Sequence, residues 1–176
     1  MSAVTSNLSM TAKLIEFFVL KTKGHITKFQ LFKFLYLADL YATRWHGKQI
    51  TDLHWIFYKY GPWEEDIDKT LRSLESLQKV VQTKSGEAIL IRPGKNAMSI
   101  EQLELPISMQ YMLENIRAAW SGTTQKQQQE LRDYVYATAP MKDVLEKEYT
   151  PDQKQPLNLL KERELLLAEL GNLVCK

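Results

Sequence analysis

The sequence predicts a mainly α, α+β fold. It describes a compact helical domain around a central buried helix, with one small β-hairpin and a C-terminal amphipathic helix. Three observations lead there. Apolar residues recur at helical spacing in seven stretches of the 176 residues. One of those stretches, just after Ile26, is apolar on nearly every side. Two β-like runs flank Lys84-Ser85-Gly86.

The first helix is expected over residues 11–22, with Leu14, Ile15, Phe18 and Val19 on one side and Gly24 as its stop. The second has a stronger start. Thr27-x-x-Gln30 is a capping box, and Ile26 and Leu31 occupy the hydrophobic-staple positions. It runs to about Trp45 and ends at His46-Gly47. Because Leu31, Phe32, Phe34, Leu35, Tyr36, Leu37, Ala38, Leu40 and Tyr41 make it apolar on nearly every side, it reads as the central helix.

Residues 50–60 read as extended, and Tyr60-Gly61-Pro62 as a tight turn. A third helix is expected over 63–77. Glu64, Glu65, Asp66 and Asp68 crowd its first turns, where the helix dipole favours negative charge. Residues 79–83 and 87–92 form the hairpin, closed by Pro93-Gly94. Helices follow at 108–120, at 124–138 behind a second capping box (Thr124-x-x-Gln127), and at 141–148 after Pro140. Pro151 to Pro156 reads as a linker. The last helix, 157–174, carries Leu159, Leu166, Leu170 and Leu173 on one stripe. The domain division is therefore 1–149 for the helical domain and 150–176 for linker and terminal helix. Docking of that helix on its own domain comes first, ahead of pairing two copies, because an exposed leucine stripe invites aggregation.

Composition narrows the class. With 44% apolar residues the chain can bury a core of its own. The single cysteine, Cys175, allows no intrachain disulfide. Met1 to Asn7 shows no charged region followed by an apolar stretch, so no secretory leader is expected, and Asn7-Leu8-Ser9 reads as a chance sequon. No run approaches the roughly 18 apolar residues of a membrane span, so the expected location is cytoplasmic with no membrane partner. Residues 1–60 carry eight Lys or Arg against three Asp or Glu, whereas residues 101–176 carry nine against twelve. A basic first third suits an acidic protein or phosphates, though such an imbalance is more often a solvated surface.

No catalytic set is legible, and the protein is not expected to be an enzyme. His25, His46 and His54 have no zinc-like spacing, and there is no phosphate loop or nucleophile elbow. Neither metal nor cofactor is expected. Asp39 interrupts an apolar face. Its expected role is to accept amides from the loop at Gly47 to Thr51 or from Tyr60-Gly61. Lys33 shares a more polar stripe with Gln30 and Arg44 and reads as solvated or as the rim of a partner site. Of Trp45, Trp55 and Trp63, the last is the one expected at the surface.

The run Lys33-Phe34-Leu35-Tyr36-Leu37-Ala38-Asp39, then Gly47-Lys48-Gln49-Ile50-Thr51, then Tyr60-Gly61-Pro62 resembles the Panacea (SocA-like) domain family. Ser108 through Thr138-Ala139-Pro140-Met141 resembles that family's C-terminal half, with Ala139 where a histidine is common and Met141 where a tryptophan is common. The resemblance covers roughly residues 10–148. It implies an antitoxin of bacterial or phage origin that neutralises a protein toxin encoded beside it by binding. In one branch it implies a proteolytic adaptor, with a protease as second partner.

On this reading the contact surface is the outer stripe of helix 27–45 (Gln30, Lys33, Leu37, Arg44) with the turn Tyr60, Gly61, Pro62 and Trp63. Asp39, Gly47 and Thr51 hold it in shape. A homodimer through the C-terminal helix is a further pairing to test. The runner-up is a DNA-binding regulator, since three helices and a hairpin follow the order of a winged helix, with Lys79, Lys84, Arg92 and Lys95 on the wing. Four acidic residues at the start of the presumed recognition helix argue against nucleic acid as a partner. An interaction protein without a toxin is the remaining alternative.

Overall fold

The computed structural model describes residues 7–147 and 152–175. The leader reading at residues 1–6, the end of the helix expected over 141–148 and the linker start at Pro151 lie outside the described residues.

Helix α1 (Met10–Lys21) begins at Ser9, whose hydroxyl accepts the Ala12 amide at 3.2 Å. Strand β1 (Ile26–Thr27) leads directly into α2 (Lys28–His46). The capping box forms as read: the Gln30 amide donates to Thr27 Oγ1 at 3.1 Å, and the Thr27 amide donates to Gln30 Oε1 at 3.0 Å. Helix α2 is the axis of the molecule. It packs on α1, on β1 and on five elements later in the chain. Leu31, Phe34, Leu35, Tyr36, Leu37, Ala38 and Leu40 are all fully buried. Gly47 ends the helix in the left-handed region (φ 76°), where a side chain would be strained.

Asp39 sits inside this core. Its Oδ1 accepts the Ile50 and Thr51 amides, both at 2.9 Å. Its Oδ2 accepts the Thr51 hydroxyl at 2.5 Å, the Trp55 indole N–H at 2.8 Å and the Gln49 side-chain amide at 3.2 Å. Five donors converging on one carboxylate shape the loop after α2 and bury Trp55 against Tyr36, their rings edge-to-face at 5.5 Å. Burial pushes the Asp39 carboxyl above its usual range, and the hydrogen bonds from Thr51, Trp55 and Ile50 offset only part of that rise.

The extended stretch after Thr51 becomes strand β2 (Ile56–Tyr58). Gly61-Pro62 is not the turn the sequence predicts. The turn is Lys59-Tyr60, and Gly61–Trp63 forms strand β3, antiparallel to β2 with Phe57 opposite Pro62. Pro62 tolerates this position because β3 is an edge strand. Strand β6 (Gln155–Pro156) pairs with the other side of β2, giving a three-stranded sheet in the order β3-β2-β6. Helix α3 (Glu65–Ser76) buries Ile67, Leu71 and Leu74 and packs on α1. The hairpin is β4 (Val80–Ser85) with β5 (Ala88–Pro93). Strand β1 adds to it in the order β1-β5-β4, so helix, strand, helix, helix and hairpin reproduce winged-helix strand pairing.

Helices α4 (Ile107–Trp120), α5 (Gln125–Tyr136) and α6 (Ala139–Leu145) wrap the other side of α2 and bury Leu113, Ile116, Leu131, Val135, Met141 and Val144. Helix α7 (Leu160–Val174) packs on α2 and α6. Its docking covers only half the expected stripe. Leu159 and Leu166 are buried, whereas Leu170 and Leu173 are exposed, as is Val174.

Replacing Asp39 with Ala strands five donors at once. Stability to urea is expected to fall by about 3 kcal/mol or more. Asp39→Asn, which puts a donor where only acceptors fit, should cost nearly as much. A loss below about 1 kcal/mol in both variants would show that water replaces the carboxylate.

Candidate functional site

The expected outer stripe of α2 is not on the surface. Gln30 is buried, and its side-chain amide donates to the carbonyls of Trp120 at 3.0 Å and Gly122 at 2.9 Å, pinning the α4–α5 connection. Leu37 is wholly in the core. Arg44 is half-buried and reaches α7: its guanidinium lies 3.6 Å from Glu162 and 3.9 Å from Glu169, and its carbonyl accepts from Arg163 at 3.1 Å. Glu162 also accepts the Ala139 amide at 2.9 Å, so one carboxylate ties α7 to α2 and α6. The stripe is covered because residues 120–122 and 160–174, remote in sequence, fold across it. Asp39 and Thr51 act as expected, through Gly47 to Thr51 and not through Tyr60-Gly61. Gly47 lies against Arg163.

What remains of the expected surface is a cleft of about 500 Å³. The N-terminal half of α2 forms its floor with Phe29, Phe32 and Lys33, and residues Tyr58 to Trp63 form one wall. The start of β5 and Gln128 of α5 close the other sides. Tyr60 stands at the rim, 77% exposed. Trp63 is half-buried, a correction to its expected exposure, because it belongs to a paired strand. Its ring lies 5.7 Å from that of Tyr58 and 5.3 Å from Lys154 Nζ. Gly61 adopts φ 125° with the Tyr136 ring against it; a Cβ there would come within 3.1 Å of Tyr136.

Lys33 is the unusual group. Its side chain is neither solvated nor at a rim: the residue is 3% exposed. Nζ stands 3.6 Å above the centre of the Phe29 ring, a cation–π contact. Among the described residues no carboxylate pairs with it. Burial, with Arg132 adding to it, pushes the Lys33 ammonium down to about 8. The nearby Asp68 is taken by an ion pair with Lys28. Phe29, Phe32 and Lys33 lie at i, i+3 and i+4, the spacing that would have grouped them on one helix face from sequence alone.

A second groove, of about 540 Å³, runs between the end of α2 and α4. Trp45, at 60% exposed, and Tyr111 flank it. Trp45 and not Trp63 is thus the most exposed of the three clustered tryptophans. Among the described residues no group of three His, Cys, Asp or Glu side chains could hold a metal ion, and no helix is long and apolar enough to cross a membrane.

The Lys33 charge has a thermodynamic signature. Its proton affinity is lower in the folded chain than in the unfolded one, so folding is disfavoured while both forms are charged. The penalty is relieved as pH rises from about 8 toward the ordinary lysine value. Lys33→Met should therefore stabilise the protein at pH 7 by roughly 2–3 kcal/mol. The gain should shrink between pH 8 and 10.5 when wild type and variant are unfolded side by side. A constant difference across that range would mean that the ammonium is solvated.

Residues 31–141, well over half of the chain, match the family described as antitoxin SocA-like, Panacea domain. The matched span runs from the first turn of α2 into α6 and contains Lys33, Asp39 and the whole β2–β3 hairpin. No curated protein matches the chain, and no solved structure does. The residues that shape the core of α2, the Asp39 loop and the Gly-Pro strand are thus those of a known domain, and this chain belongs to the SocA-like, Panacea domain antitoxin family.

Proposed function

We propose that this protein is a cytoplasmic antitoxin that neutralises a protein toxin encoded beside it by direct binding, without catalysis of its own. The family match over residues 31–141 carries the reading. The cleft between α2 and the β2–β3 hairpin supports it physically: it joins an exposed aromatic rim, apolar walls and an unpaired cation, the features of a protein-binding hot spot. Occlusion is the mechanism favoured. The toxin's active site or substrate groove is covered by a rigid surface, and no part of the antitoxin turns over.

The winged-helix strand order, with Lys84, Arg92 and Lys95 exposed on or beside the hairpin, stands on the side of DNA. Electrostatics opposes it. The α3 start presents Glu65 and Asp66 at the surface beside the half-buried Glu64, and a DNA-reading helix end should not repel phosphates.

The test is co-expression of the tagged protein with its genomic neighbour, scoring growth and co-purification together. Tyr60→Glu, a substitution at an exposed position, is expected to abolish protection, whereas Tyr111→Glu in the second groove should protect as wild type does. The reverse pattern would move the interface to the groove beside Trp45. A neighbour harmless alone, with nothing co-purifying, would overturn the antitoxin reading. Toxin half-life in the same cells separates occlusion, which leaves it unchanged, from delivery to a protease, which shortens it.

A further inference from the structure

Folded proteins seldom leave a buried ammonium without an anion. Here two carboxylates line the cleft, and neither pairs with Lys33. Asp68, on α3, is held by Lys28, and Glu87 is exposed at the β4–β5 turn. Basic groups also stand near Lys33: Lys59 on the hairpin, 5.2 Å above the Tyr58 ring, and Arg132 on α5. Phe29 occupies one side of the ammonium, which has three N–H donors to place. The cleft above it lies within the roughly 300–1,000 Å³ of small-ligand sites.

We propose that the cleft is a carboxylate pocket: it receives one acidic side chain of the partner protein, presented beside an apolar or aromatic residue, and pairs it with Lys33. The inference rests on the protein-binding reading above and adds the chemistry of the contact. A single carboxylate matches a single buried ammonium, and the apolar walls strengthen the pair by excluding water. A phosphate group fits less well, because a doubly charged anion calls for several donors and Lys33 is the one buried cation on the floor. The partner's charge also removes the reason for the depressed Lys33 proton affinity, so binding and protonation are linked.

The test uses the full chain alone and the probe phenylacetate, a carboxylate on an aromatic ring, with NMR detection at the Lys33 Cε and Nζ. Phenylacetate is expected to shift the Lys33 resonances and raise its titration midpoint above about 8. It should bind at least about tenfold more tightly than the neutral phenylacetamide, as charge-assisted hydrogen bonding requires. Lys33→Met and Lys33→Gln should both remain folded and both lose the preference for phenylacetate.

Equal binding of phenylacetamide would mean that the cleft selects only the ring and would overturn the proposal. So would tighter binding of inorganic phosphate, or unshifted Lys33 resonances at millimolar phenylacetate. The two readings fail separately. If co-expression protects and phenylacetate does not bind, the antitoxin stands and the carboxylate pocket falls. If phenylacetate binds but the toxin complex forms unchanged with Lys33→Met, the pocket serves some other acidic ligand and its assignment to the toxin falls.

Discussion

A helix that is apolar on all sides must be covered on all sides, and most of this molecule is arranged to satisfy that requirement for α2. Helix α1 and β5 cover one flank, α4 and α5 another, and α7 a third. The covers other than α1 and β5 are fastened by polar groups emerging from α2 itself: Gln30 to the α4–α5 connection, Tyr36 to Thr138 at 2.9 Å, Asp39 to the loop that follows, and Arg44 to α7. Apolar burial supplies the drive, and these polar groups decide which element lands where, since a misplaced element would leave one of them unsatisfied.

The sequence was most legible where causes are local. Both capping boxes, the αL glycine at the end of α2, the β4–β5 hairpin and the role of Asp39 all rest on contacts within about 16 residues. It was least legible where burial depends on distant segments. Gln30, Lys33 and Arg44 are polar and fall on one stripe, which in an isolated helix means solvent. Their covers come from residues 120–122, α5 and α7, and no periodicity within α2 announces them. The Gly-Pro pair misled for a related reason. In isolation it marks a turn, but Lys59 takes the positive φ and pairing with β2 draws Gly61–Trp63 into a strand.

The same winged-helix strand pairing can serve quite different surfaces. In this chain the third helix of that arrangement exposes carboxylates, and the additional helices α4 to α7 bury the second. A layout associated with reading nucleic acid is thereby converted into a scaffold whose notable openings are apolar clefts. The family match locates the shared part of this scaffold in α2 through α6. Strand β6 and α7 lie beyond it, yet they complete the second sheet and fasten Arg44.

The sequence separations of the polar fastenings set an order of assembly. The Asp39 hydrogen bonds close loops of 10 to 16 residues, those of Gln30 span 90 and 92, and Arg163 reaches back 119 residues to Arg44. Loop closure costs more chain entropy as the span lengthens, so the Asp39 knot can tie before the C-terminal helices are complete, and the lateral covers must wait. During that interval a nascent chain displays the stripe that the finished fold conceals. The delay between those two closures is a window in which chaperones and proteases meet a surface that the folded protein no longer offers.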